Sequence, residues 1–397
     1  MTETALPAER RTDFMRFVKS NVRDYALLLS LVAIMVFFQY ATNGTLFMPV
    51  NLTNIVLQNS YIVIMALGML LIIVAGHIDL SVGSVSGFIG AVAAVLMVNY
   101  KLDVFSSGAI CLVLGGIIGG AQGAFTAYFK IPAFIVTLAG MLIFKGLELT
   151  VLGGASVGPF PELFQLLSKG FVPDIFHYPG FNMLGMAIGA LTTALIVFFN
   201  IRERRDQLAH GLAEEPGLIF ILRNLLIAAA FLAVSFLMAS YKGLPNVLIV
   251  MFALISLFTF VTTSTTIGRR IYAMGGNEKA AKLSGINTER LTFLAFLNMG
   301  VLAALAGLIF AARLNSATPK AGAGFELDVI AACFIGGAAT TGGVGKVVGA
   351  VIGAFIMGVM NNGMSILGVG IDLQQVIKGS VLLLAVFLDT YYKNRAV

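Results

Sequence analysis

Charge is scarce in this sequence: Asp, Glu, Lys and Arg make up 11% of its 397 residues, while 58% are hydrophobic. An ordinary soluble domain carries ~25% charged residues. With a mean hydropathy of +0.95, the chain has too little polar material to cover a water-facing surface, and a soluble fold is excluded. Tryptophan is absent, and cysteine occurs only as Cys111 and Cys333, each inside an apolar run. That leaves no disulfide framework and no CxxC metal or redox site. Histidine is rare too: His77, His177 and His210, none paired with a second histidine at the i, i+4 spacing of a helical zinc site. No HExxH is present, so neither a metal nor a cofactor is implied. A glycine-rich string ending in Gly345 and Lys346 resembles a phosphate loop. Thr340 stands where its first glycine belongs, and Val347 replaces the magnesium-binding hydroxyl. If ATP drives this protein, another subunit hydrolyses it. The net charge of +6 does not imply nucleic acid, because the bases fall between apolar runs and form no single patch with interleaved aromatics.

Long apolar stretches are what the chain has in plenty. They fall at about 25–41, 53–76, 81–99, 106–129, 133–152, 181–200, 217–240, 246–266, 290–313, 327–342, 346–367 and 374–392, most near the ~20 residues a spanning helix requires. The predicted fold is all-α: a polytopic transmembrane bundle of about twelve spans, some of them short or broken, with membrane lipid as its surroundings. The 44 glycines fit, since small residues let membrane helices approach closely. Residues 1–24 are polar and carry Arg10, Arg11, Arg16, Lys19 and Arg23 with no small-residue cleavage pattern after them. They read as a retained, inward-facing segment ahead of one membrane domain, 25–397. Alternating the runs from there puts Lys130, Arg202, Arg204, Arg205, Lys279, Lys282, Lys393 and Arg395 on the inside, and only scattered bases such as Lys101, Lys169 and Lys320 outside. Both termini are thus expected in the cytoplasm. The weakest span, 327–342, ends in Gly336, Gly337 and TTGGVG. A re-entrant half-helix there would move the C-terminus outside against its own charges, so the expectation stays at twelve crossings. VGSVSG at 82–87 is echoed by VGKVVG at 344–349, in the manner of transporters with repeated halves.

Polar residues at membrane depth are the lead to function, because an intramembrane charge is expensive and faces a partner or a watery cavity. Asp79 interrupts the apolar sequence, and Ser81, Ser84 and Ser86 follow it. Asp79 or Ser81 can cap the run that follows, and Asp79, Ser81 and Ser84 can also line a pathway. Gln58, Asn59, Gln122, Asn298, Asn361 and Asn362 are amides in otherwise apolar runs. They suit either hydrogen bonds between helices or a neutral polyhydroxylated solute, and Gln58, Asn59, Asn361 and Asn362 are the candidates for the path. The inward segment 268–290 holds a short amphipathic helix, Asn277 to Leu283, with Asn277 as its cap and Gly285 as its stop. Either a solvated turn or a docking surface fits that pattern.

Six segments taken together resemble the permeases of bacterial carbohydrate ABC importers, most of all the xylose and multiple-monosaccharide branch: IDLSVGS (78–84), PAFIVTLAGM (132–141), GRRIYAMGGNEKAAKLSGIN (268–287), ELDVIAACFIGG (326–337), GGVGKVVGAVIGA (342–354) and NNGMSILGV (361–369). The resemblance runs in order from about 25 to 392. It implies a monosaccharide permease acting as a homodimer. Its partners would be a cytoplasmic ATPase of two fused nucleotide-binding halves and a periplasmic sugar-binding protein. It also implies that 275–286 is the helix that couples to the ATPase, through Gly275, Gly276, Asn277, Glu278, Ala280, Ala281, Ser284, Gly285 and Ile286. Against the smaller ribose-type pattern, 181–245 reads as a two-helix insertion. A branched-chain amino-acid permease and an ion-coupled secondary transporter are the competing classes.

Overall fold

Apart from isolated bridge residues, among them Val157 paired with Ala317, every regular element among the described residues is helical. The computed structural model describes residues 26–176, 178–211 and 215–395, with side chains through Phe387. The expected inward segment 1–24, His177 and the side chains of Lys393 and Arg395 fall outside them. In chain order the helices are α1 (Ala26–Ala41), α2 (Pro49–Val74), α3 (Val82–Ala94), α4 (Val104–Ala127), α5 (Ala133–Leu152), α6 (Glu162–Lys169), α7 (Met183–Ala209) and α8 (Gly217–Ala239). There follow α9 (Asn246–Ser264), α10 (Thr266–Gly276), α11 (Glu278–Leu283), α12 (Thr288–Leu314), α13 (Phe325–Ile335), α14 (Val347–Ile366) and α15 (Ile371–Arg395). A π turn carries α3 on to Asn99, and with it nine helices among the described residues are long and apolar enough to cross a membrane. The chain is a multi-pass membrane protein.

Two units divide it. One contains residues 171–244 with 47–53 and the start of the chain. Here α7 and α8 pair antiparallel: Gly189 meets Ser235, Asn200 Nδ2 donates to Asn224 Oδ1 at 2.9 Å, and the Arg204 guanidinium stacks 4.4 Å from the Phe220 ring centre. Glu215, in the connection, sits 3.2 Å from Arg223.

The other unit holds the remaining helices. Its centre is α12 antiparallel to α4, with Gly115, Gly119 and Gly123 spaced every fourth residue along the seam. A methyl at Gly115 would lie 2.5 Å from the Gly300 carbonyl oxygen, and one at Gly123 would lie 2.9 Å from Phe296 Cβ. This is the small-residue packing that lets membrane helices touch backbone to backbone. α2 supplies the core: from Ile62 to Val74 its apolar residues are all buried.

Between α12 and α14 the structure corrects the expectation of a spanning helix at 327–342. α13 has 11 residues and is therefore about 16 Å long, half of what a bilayer needs. Gly336 ends it, and Gly337 follows with φ +89°. The rest of the traverse is non-helical chain, 315–324: Ala317 bridges Val157, beyond the end of α5; Ala321 O accepts Lys145 Nζ at 3.0 Å; Gly322 packs on Gly83 of α3. α13 then runs antiparallel to α14, Ala332 beside Gly353 and Gly336 beside Gly349. The route thus passes from one end of the bundle to the other, as an irregular stretch plus a half-helix.

Candidate functional site

α2 ends at Val74, and seven non-helical residues precede α3. Gly76 takes φ +85°, a conformation that L side chains rarely adopt. Asp79, 3% exposed, accepts the Ser81 N–H at 2.8 Å and the Ser81 hydroxyl at 2.7 Å. Ser81 in turn accepts from Gln122 Nε2 of α4 at 2.9 Å. A buried donor chain therefore runs Gln122 to Ser81 to Asp79 and fixes the start of α3 against α4. Of the two caps the sequence allowed, Asp79 is the one that accepts a backbone N–H, two residues on. Ser81 occupies the N-cap position without bonding a helix amide. Ser84 lies buried one turn along.

A second polar group forms on α2, α13 and α14. Asn59 donates to Ala354 O at 2.7 Å, and its Oδ1 has no protein partner. Asn361 donates to Asp328 Oδ2 at 3.5 Å, and its Oδ1 is likewise unpartnered. Asn362 is buried, and Gln58 is half-buried. Lys378 of α15 closes on Asp328 at 2.9 Å. Of the seven pathway candidates, Asp79 and Ser81 thus bond at the break before α3 and toward α4, whereas Asn59 bonds to α14 and Asn361 to α13. Asp328 and Lys378 were missed by sequence reasoning, although opposite charges in two apolar runs were the available clue. The same holds for Lys145 and Glu148, which pair at 2.8 Å on α5 with Glu148 fully buried.

The segment 265–290 is built by successive caps. Thr265 Oγ1 accepts the Gly268 N–H and starts α10, a helix the sequence reading left as loop. Asn277 Oδ1 accepts Ala280 N–H at 3.0 Å and starts α11; Gly285, at φ +79°, follows its end; Asn287 then caps α12. Asn277, Glu278, Lys279, Ala280, Lys282, Leu283, Ser284 and Gly285 are exposed, and Ile286 is half-buried. Two expected docking residues need correction. Ala281 is 4% exposed because it faces the protein's own core, and Gly275 is wedged against the Val74 carbonyl oxygen. Leu283, 89% exposed, was overlooked: it is an apolar side chain held out by a six-residue helix. Glu289, opening α12, ties Lys282 at 2.6 Å and Lys130 at 3.1 Å to one carboxylate oxygen. That hydrogen bond and charge hold the Lys282 ammonium above its ordinary value.

A cavity of about 420 Å³ lies beside this segment, with His77, Thr126, Lys130, Glu278, Thr292 and Thr340 among its lining residues. Glu278 belongs to α11, so the helix itself forms part of the wall. No cluster of metal-ligating side chains occurs among the described residues. GASVG at 154–158 matches the letters of a serine-nucleophile motif. It lies in the loop after α5 and lacks the strand–turn–helix setting that chemistry requires.

A family described as "Branched-chain amino acid transport system / permease component" matches residues 51–386. The xylose transport system permease protein of Escherichia coli K12 is 38% identical over 395 residues, covering 100% of this chain and 98% of its own length. Its Haemophilus influenzae counterpart is 38% identical over 94% of this chain and 98% of its own length. The ribose import permease protein of E. coli K12 is 36% identical over 85% of both chains. No solved structure matches.

Proposed function

The chain belongs to the family described as "Branched-chain amino acid transport system / permease component", and from that membership we propose that it is the permease subunit of an ATP-driven importer carrying a monosaccharide, xylose or a related pentose or hexose, across the bacterial inner membrane. The observation that favours a sugar over a branched-chain amino acid is the identity of 38% along the whole chain to a xylose permease, with a ribose permease also matching over 85% of it. The chain is a transport component. ATP hydrolysis resides in a separate subunit, and a substrate-binding protein delivers the solute.

In this reading two copies of the chain pair around the pathway, with both termini in the cytoplasm. The ATPase has two fused nucleotide-binding halves, and the sugar-binding protein is periplasmic. Leu283 and its exposed neighbours on α11 dock into the ATPase. Closure of the ATPase around ATP moves α11, and the path opens to one side at a time. The unpartnered acceptors of Asn59 and Asn361 suit the hydroxyls of a neutral sugar. What supports docking at α11 is its projection from the bundle and its capped, rigid form. Residues 181–245 are read as an added hairpin whose even number of crossings preserves sidedness.

Uptake in vesicles reconstituted with the ATPase and binding protein tests the reading. Xylose, ribose and leucine are offered, and the catalytic lysine of the ATPase phosphate loop is replaced in a parallel sample. ATP-dependent xylose or ribose uptake that the lysine variant abolishes is expected. Leucine uptake alone, or sugar uptake that survives the lysine variant, overturns it.

A further inference from the structure

We propose that the turn Ala339–Gly345, between α13 and α14, is the mechanical joint that carries displacement of the coupling segment to the half-helix α13. This rests on the importer reading above. The turn and the coupling segment meet without intervening side chains. Gly343 N–H donates to Val74 O at 2.9 Å, at the very end of α2. A methyl on Gly275 would strike that same carbonyl and come within 2.6 Å of Gly343 N. A methyl on Gly343, where φ is +72°, would lie 2.7 Å from Gly276 N. One side-chain bond is added: the Tyr272 hydroxyl of α10 donates to Gly345 O at 2.6 Å. Ala339 N–H closes the turn on Val344 O at 2.9 Å.

Where Gly275 and Gly276 meet Gly342 and Gly343 the contact is backbone on backbone, with no soft side chain to absorb movement, so a shift of α10 and α11 is passed to the turn directly. Beyond the turn, α13 lies against α14 through Ala332–Gly353 and Gly336–Gly349, and its far end, at Glu326, meets Gly83 where α3 begins. A rod of 11 residues with a glycine hinge at one end and the pathway break at the other can take two positions with little internal change, which is the physical requirement for coupling.

The test uses the full importer with Gly343→Ala and Tyr272→Phe, and with Gly108→Ala, where no atom lies within 4 Å of the added methyl, as control. Recovered ATPase, ATP turnover and sugar uptake are measured on each. Both joint variants should recover the ATPase as wild type does and sustain turnover. Uptake per ATP should fall about fivefold or more in Gly343→Ala, the scale of a coupling free energy between sites, and by less in Tyr272→Phe. If Gly343→Ala fails to insert, Tyr272→Phe decides alone, since it removes one hydroxyl and leaves every backbone contact. Unchanged uptake per ATP in Tyr272→Phe overturns the joint, as does ATPase recovery that falls in parallel with uptake. A wild-type chain that recovers no ATPase overturns the importer reading, and the joint with it.

Discussion

Lys378 Nζ lies 2.9 Å from one carboxylate oxygen of Asp328 and 3.1 Å from the other, tying α15 to the first turn of the half-helix α13. The pair is largely withdrawn from solvent, the two side chains being 24% and 10% exposed. Removing one partner from a buried pair strands a charge and costs about 3–5 kcal/mol, whereas removing both together is often nearly neutral. Lys378→Met should therefore lower the thermal stability of the detergent-solubilised protein by about 2–4 kcal/mol, below the fully buried range because Lys378 keeps some solvent. The double variant Asp328→Asn with Lys378→Met should recover most of that loss. A double variant no more stable than the single one shows that the contact is not a pair in the energetic sense.

At the break before α3, both hydrogens of Ser81 end on Asp79 Oδ1. Asp79→Asn keeps an acceptor in the same place, while Asp79→Leu leaves the buried Ser81 N–H unpaired and its hydroxyl with only Gln122 Oε1, 3.2 Å away, a loss of about 1–3 kcal/mol. Transport and thermal stability should be close to normal in the first and clearly impaired in the second. Near-normal transport and stability in both variants would remove Asp79 from both the structural and the pathway account.

On α11, Ala281 faces the protein's own core while Leu283 faces outward. Leu283→Asp should leave insertion and stability unchanged, since the side chain touches little of its own chain, and should lower recovery of the ATPase by tenfold or more, about 1.4 kcal/mol. Ala281→Trp should instead damage the permease itself, because overpacking a filled site costs about 1–3 kcal/mol. Pull-down and thermal stability measured side by side separate them. The scheme fails if Ala281→Trp is stable yet unable to hold the ATPase while Leu283→Asp holds it normally.

Along the seam of α4 with α12, Gly119→Ala would press a methyl onto the Phe296 carbonyl and within 2.9 Å of Gly300 Cα, while Gly116→Ala meets only Val301 Cγ2 at 3.3 Å. The first should destabilise the protein by about 1–3 kcal/mol and the second by well under 1. Similar thermal midpoints for the two would falsify backbone contact at this seam.

The long helices were legible because a lipid-facing helix announces itself in composition: α8 from Leu225 to Val234 and α9 from Val247 to Ile255 are apolar without interruption. The caps at Asn277 and the stop at Gly285 were legible for a related reason, since capping is a contact between neighbours in sequence. What was hidden is whatever depends on contacts between distant segments. Gln122 and Ser81 are 41 residues apart, and nothing local shows that they bond. α11 is too short for its periodicity to decide which alanine faces inward, so the burial of Ala281 was not legible and Leu283 was passed over. The run at 327–342 misled because its apolar composition continues through Ala338 and Ala339, past the point where Gly336 and Gly337 stop the helix.

The irregular stretch 315–324 also bears on how the protein is made. Alone in hydrocarbon, chain without a helical ladder exposes amides and carbonyls at several kcal/mol apiece. This stretch finds shelter against Val157, Phe160, Lys145, Gly83 and Gly87, which belong to segments synthesised well before it. It therefore cannot leave the translocation machinery as an autonomous hairpin, and its entry must wait until α3, α5 and α12 have already assembled around the place it will occupy. Truncations that remove α3 or α5 should therefore deprive 315–324 of these partners and lower the yield of correctly inserted protein.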